Sequence, residues 1–135
     1  MKDLERARAF FQADRYAMAV TGAEIDALDE GFAQCSLTLD ERHYNAGKAV
    51  QGGAIFTLAD FTFAVASNDE TTRVVSLSNQ ISFHHQPRGK RLIAKARREA
   101  GGRIVAFYIV QVRDELDTLV ATMTVSGYLV SEQKA

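Results

Sequence analysis

The feature that most restricts this chain is the run Gly52-Gly53-Ala54-Ile55-Phe56-Thr57-Leu58-Ala59-Asp60-Phe61-Thr62-Phe63-Ala64-Val65-Ala66-Ser67. It is too long and too unbroken in its apolar content for a half-buried strand, and it reads as a helix. Apolar residues cover every face, so such a helix must be buried nearly all round and the rest of the chain has to wrap it. A single ionisable residue, Asp60, interrupts the run between Ala54 and Ala66. An ionised carboxylate buried without partners costs several kcal/mol or more, so Asp60 must be hydrogen-bonded, near solvent in a cleft, or shifted in pKa.

Two readings of Asp60 follow: a structural carboxylate on an exposed strip or bonded to a nearby loop, and a functional one. The preceding pair Gly52-Gly53 favours function. Glycines allow close backbone approach, and a helix N-terminus carries free N–H groups that attract negative charge. Two helical turns, about 10 Å, separate Asp60 from that terminus. One protomer spans this poorly, whereas in a pair the carboxylate of one copy can face the glycine N–H groups of the other. A base or nucleophile opposite an oxyanion site suits acyl transfer.

The remaining segments supply the wrapping. Leu4, Ala7, Phe10 and Phe11 have helical spacing and make residues 1–16 an amphipathic lead-in. Segments 19–26 and 32–39 are strand-like around the turn Asp29-Glu30-Gly31, a hairpin pattern, and a polar loop covers 40–51. After a polar turn at 68–72 come β-rich runs at 73–86, 90–99, 103–113 and 118–130. Their links, Pro87-Arg88-Gly89, Ala100-Gly101-Gly102 and Asp114-Glu115-Leu116-Asp117, are short and hairpin-like, so an antiparallel meander is expected. The sum is one α+β domain over residues 1–135, a sheet of about six strands around one helix. A sheet of such long strands leaves an edge or face that a second copy commonly covers.

Composition narrows the partners. The 16 basic and 17 acidic residues give a formal net charge of −1, which offers no global attraction for nucleic acid or anionic membrane. The start of the chain lacks the apolar run of a signal peptide and no stretch approaches a membrane span, so a cytoplasmic protein is expected. The single cysteine, Cys35, excludes an internal disulfide framework and reads as a small buried hydrophobe. His84 and His85, adjacent on a strand, would point to opposite faces and could not share a metal. They read as polar surface, with one of them able to meet a ligand at the sheet end.

The segment from Asn45 to Asp60 resembles the hotdog-fold acyl-CoA thioesterases of the phenylacetic acid degradation type, in which Asn, His-Gly-Gly and Leu-Ala-Asp follow one another at this spacing. The likeness continues through Ser76 in Val74-Val75-Ser76-Leu77 and through Ile81-Ser82-Phe83 to Pro87-Arg88-Gly89-Lys90, and it covers residues 32–130. It implies a hotdog fold, a curved antiparallel sheet around one long helix, dimerised through the sheets and often paired again into a tetramer. It implies hydrolysis of an acyl-CoA or aryl-CoA thioester to the free acid and CoA, with no cofactor beyond the CoA of the substrate.

Carried over position by position, Asp60 matches the catalytic carboxylate, as general base or as nucleophile. Gly52 matches the residue whose N–H polarises the thioester carbonyl, with Gly53 beside it. Asn45 matches the polar residue lining the reacting centre, and Ser76 a position able to orient water. Without the resemblance, Asn45 and Gly47 would read as loop-shaping residues. The family usually has His where this chain has Gln51, which can donate a hydrogen bond but cannot carry a proton. The glycine N–H and Asp60 are the parts the chemistry requires, so activity is expected to survive. In the family the CoA phosphates lie near the basic strand ends, which points to Arg88 and Lys90 among Arg88, Lys90, Arg91, Arg97, Arg98 and Arg103. Phe61, with Phe56, Phe63 and Phe83, either lines the acyl pocket or fills the core.

Two other functions fit the same fold. A hydratase or dehydratase of 3-hydroxyacyl thioesters would pair a loop His with an acid on the helix, and Gln51 argues against it. A non-catalytic acyl-CoA binding module would hold the thioester without cleaving it.

Overall fold

In the computed structural model, which describes residues 3–132, the apolar run forms the helix α2 (Gly52–Ser67). Ile55, Leu58, Ala59, Phe61, Thr62, Phe63, Val65, Ala66 and Ser67 are buried on it. The expected burial all round is incomplete: Gly53 is exposed, and Phe56, Thr57, Asp60 and Ala64 are only half-covered. These positions share one helical face, so a single stripe of α2 stays open along its length.

A short helix, α1 (Leu4–Phe11), precedes the sheet, its N-terminus capped by Asp3, which accepts the N–H groups of Glu5 and Arg6. Phe11 packs edge-on against Phe61, with ring centroids 5.8 Å apart. The first two residues of the predicted lead-in, and the last three of the domain, lie outside the described residues. The strand predicted from residue 19 begins later. Tyr16–Thr21 forms a wide helical turn that ends at Gly22, whose φ of 93° is left-handed. Carbonyls at its end are taken up from elsewhere in the chain, Val20 by Arg42 and Thr21 by the ring of His43, and this tertiary satisfaction overrides the local β preference.

Six antiparallel strands form one sheet: β1 (Ala23–Asp29), β2 (Phe32–Thr38), β3 (Thr72–Phe83), β4 (Arg91–Gly101), β5 (Val105–Asp114) and β6 (Leu119–Glu132). Their order is β1-β2-β4-β5-β6-β3. Only β4, β5 and β6 run as the predicted meander. β3 pairs with β6 at the far edge and β2 takes the place beside β4, so residues 84–90 are not a hairpin link but a crossing past the turn between β5 and β6. A crossing strand end leaves backbone N–H groups without ladder partners. Two carboxylates of that turn accept them: Asp114 from Arg88 and Gly89, and Glu115 from Lys90 and Arg91.

One face of the sheet packs on α2. Its core includes Leu37, Leu92, Val110, Val112, Val120, Met123 and Val125, with Cys35 fully buried among them. Burial pushes the Cys35 thiol up to about 12 despite a hydrogen bond with Thr62, so this cysteine is an inert packing group. The outer edge of β3 has no strand partner among the described residues, and there Leu77 is 62% exposed at a bulge between Ser76 and Ser78.

Candidate active site

Residues 40–51 lead into α2, and several side chains fix their path. Asp40 caps the short turn Glu41–His43 by accepting from Arg42 N–H. His43 is 3% exposed and joins two segments: Nδ1 accepts from Asp40 N–H at 3.0 Å and Nε2 meets the Thr21 carbonyl at 2.7 Å. Asn45 folds the tip, its Oδ1 accepting from Gly47 and Ala49 N–H. That is the loop-shaping role, and it leaves the Asn45 amide N–H groups without an acceptor among the described residues. Gln51 N–H donates to the His43 carbonyl at 2.7 Å.

Gly52 and Gly53 open the helix, and neither N–H has an acceptor among the described residues. Gln51 stands at the cap position without a side-chain capping bond. The Phe83 ring crosses over Gly52, and a Cβ added there would sit 3.3 Å from it, so glycine is what lets the backbone lie open beneath an aromatic cover. Val50, Gly52, Ile55, Phe83, His84, His85 and Gln86 line a cavity of about 300 Å³ at this end of the helix. The two histidines lie beyond the last residue of β3, so the strand alternation that would have split them between faces does not apply. His84 Nε2 meets Thr122 Oγ1 at 2.8 Å.

Asp60 sits on the open stripe of the same helix. The nearby hydroxyls are turned away from it, Thr57 donating to Gly53 O and Thr62 to Leu58 O. No donor reaches the Asp60 carboxylate among the described residues. Burial, reinforced by the charge of Asp14, holds its pKa above the usual carboxylate value. A carboxylate raised by burial and left without hydrogen bonds is suited to take up a proton, and such groups concentrate at functional sites.

The other predicted site residues divide. Gly52, Gly53 and Gln51 meet at the helix start beside the cavity. Ser76, half-buried on β3, accepts from Asn79 Nδ2 and is not part of that cavity. Phe61, for which the sequence leaves pocket wall and core both open, is 2% exposed and packs on Phe11 in the core beneath α1. Arg88 and Lys90 lie on the crossing link; Arg88 Nε donates to Thr118 Oγ1, while the Lys90 ammonium has no partner among the described residues. Sequence reading missed His43, Gln86 and Asp114, and only the acidic turn at 114–117 gave any signal for one of them.

Comparison with known proteins adds a family. Residues 47–121 match the family model described as the thioesterase superfamily. The acyl-coenzyme A thioesterase PaaI of Escherichia coli is 30% identical over 121 residues, 89% of this chain and 86% of that protein. A mutant of the phenylacetic acid degradation protein PaaI from Thermus thermophilus superposes with a TM-score of 0.75 at 28% identity, covering 82% of this chain and 96% of that one. The smu.793 protein of Streptococcus mutans, solved bound to acetyl CoA, shares the fold with a TM-score of 0.76 at 21% identity, over 83% and 91% of the two chains.

Proposed function

Because this chain belongs to the thioesterase superfamily, we propose that it hydrolyses acyl-CoA thioesters, with Asp60 of one protomer acting on a carbonyl polarised by the partner's Gly52. Thioester hydrolysis itself comes with the family. One observation carries the finer reading: among the described residues, the start of α2 holds two N–H donors without an acceptor, and the open stripe below it holds one carboxylate without a donor. About 10 Å of helix separates them, so they serve one carbonyl only when two copies face each other.

In this reading Asp60 takes a proton from water as the water oxygen attacks the thioester carbon. The Gly52 N–H holds the oxyanion that forms. The carbon–sulfur bond then breaks, its electron pair goes to sulfur, and the Asp60 proton passes to the thiolate. A carboxylate with a raised pKa is a stronger base near neutral pH than an ordinary one. The amide of Asn45 and the hydroxyl of Ser76 would orient water or the thioester, and Gln51 would donate without carrying a proton. Lys90, whose ammonium is free among the described residues, and Arg88 are assigned to the CoA phosphates.

Several facts support the acyl-CoA class and the dimer. The relative from Escherichia coli is named an acyl-coenzyme A thioesterase, and the Streptococcus mutans neighbour was solved with acetyl CoA. The long edge of β3, without a strand partner among the described residues, offers a ladder to a second copy. The same reading makes the protein a cytoplasmic homodimer or dimer of dimers. No helix among the described residues is long and apolar enough to cross a membrane.

The test is a thiol-release assay over short, medium, long and aromatic CoA thioesters, run beside sizing in solution. The protein should elute as a dimer or larger and release CoA, and Asp60→Asn should be slower by orders of magnitude. An Asp60→Asn protein that hydrolyses at the normal rate ends the assignment.

A further inference from the structure

The backbone that enters α2 is held on both sides up to the residue that must do the polarising. Val50, 3% exposed, bridges to Tyr44 on one side. On the other side Gln86 meets it at two points: Gln86 Oε1 accepts the Val50 N–H at 2.8 Å, and Gln86 Nε2 donates to the Val50 carbonyl at 3.5 Å. This copies the paired bonds that one strand residue makes to its neighbour. Gln51 follows, tied by its N–H to His43, and then come Gly52 and Gly53, whose N–H groups are tied to nothing among the described residues.

We propose that Gln86 is a positioning residue for thioester hydrolysis, one that aims the Gly52 N–H by fixing the Val50 peptide two residues upstream. The inference rests on the reading of Gly52 as the carbonyl donor. A preorganised donor works only where its direction is set before the substrate arrives. Gln86 can set it because its own segment is immobilised from the opposite side. It lies on the crossing link, whose next turns are held by the carboxylates of Asp114 and Glu115. The link carries two histidines before it, but His84 is drawn to Thr122 and His85 has no side-chain partner among the described residues. Gln86 is therefore the side chain through which this rigid link grips the loop.

The test separates aiming from simple bracing. Gln86→Met keeps the length of the side chain and removes both bonds, and Gln86→Ala serves as a second variant. In an Asp60→Asn background, bound acyl-CoA carrying a labelled thioester carbonyl should stay intact, and its infrared stretch reports how strongly the carbonyl is polarised. The Asp60→Asn complex should show the band shifted from that of free acyl-CoA. Adding Gln86→Met or Gln86→Ala should move it back toward the free position. With Asp60 present, each Gln86 variant should lose roughly ten- to a hundredfold in kcat, the scale of a donor misplaced by about an ångström, with KM nearly unchanged. An unmoved band or an unchanged kcat overturns the inference, and so does a fall in Tm with no loss of kcat, which would make Gln86 a brace only. If the Asp60→Asn complex shows no shift of the band, the reading of Gly52 fails and the inference falls with it.

Discussion

Two carboxylates of this chain sit in opposite surroundings. At the turn between β5 and β6, Asp114 is 2% exposed. One of its oxygens accepts the N–H groups of Arg88 and Gly89, and the other those of Leu116 and Thr118. On α2, Asp60 is half-buried and accepts nothing among the described residues. Burial alone would raise both. At Asp114 the donors from Thr118, Arg88 and Gly89 outweigh it and bring the group down to about 2, whereas at Asp60 burial and the charge of Asp14 act unopposed and the group rises. Number of donors, not depth, separates the carboxylate held low in pKa from the one held high.

The largest effect should come from removing the carboxylate proposed to act on the thioester. Asp60→Asn is expected to lower kcat by about a thousandfold or more, the loss typical when the group driving attack is removed. It should not weaken the fold. A folded-state pKa raised above the unfolded value means that ionised Asp60 opposes folding once the pH is above that raised value. The Asn variant should therefore melt at the same temperature or higher near neutral pH, as a calorimetric scan would show. A clear drop in Tm would place Asp60 with Asp114 and break the comparison.

Asp114→Asn should do the reverse. An amide presents an N–H₂ where two backbone N–H groups need an acceptor, and each buried group left unsatisfied costs about 1–3 kcal/mol. At the size of this chain that is a fall in Tm of several degrees. Turnover per folded molecule should drop less than tenfold, because the link remains held by Glu115. Denaturant titration beside a thiol-release assay on the same sample measures both quantities. A thousandfold loss of kcat here would show that the crossing link governs the chemistry directly.

These two aspartates also mark what can be read from a sequence. Asp60 is legible because its setting is local, one charge in an apolar helix, and the order of helix and strands follows from periodicity and Gly punctuation in the same way. Asp114 reads only as part of an acidic turn, since two of its donors come from residues 25 and 26 positions away. For the same reason β3 is legible as a strand but not as the partner of β6, and the link at Pro87 passes for a hairpin. Helical spacing showed that Phe61 was apolar without showing that Phe11 would cover it. His43 and Gln86 are ordinary polar residues in a loop and a link until the fold brings Thr21 and Val50 to them.

Acidity sharpens the contrast with a smaller effect. As the proposed base, Asp60 would have to be ionised to accept a proton, so kcat should fall as the pH drops through a value above the ordinary 3.8 of an aspartate. Asp114 has a folded pKa depressed below 3.8, so its contribution to stability is full above that value and is lost as pH falls toward about 2. Activity should therefore decline at a higher pH than the fold does, and folded but inactive protein should persist between the two. Circular dichroism and turnover recorded on one pH series would show that gap, and coincident curves would close it.

The smallest effect is expected at Gln51. Its side chain makes no capping bond to the helix and cannot carry a proton, so the reaction as proposed loses no proton transfer when it is shortened. Gln51→Ala should cost less than about tenfold in kcat, the loss of one peripheral hydrogen bond of roughly 0.5–1.5 kcal/mol. Gln51→His should keep turnover and add an inflection in the pH–rate profile near the ordinary histidine range of about 6.5, because it places a titrating group beside the N–H groups of Gly52 and Gly53, which have no acceptor among the described residues. A hundredfold loss in Gln51→Ala would mean that the Gln51 amide, and not the glycine N–H alone, holds the oxyanion, and the donor side of the comparison would then have to be drawn around a side chain.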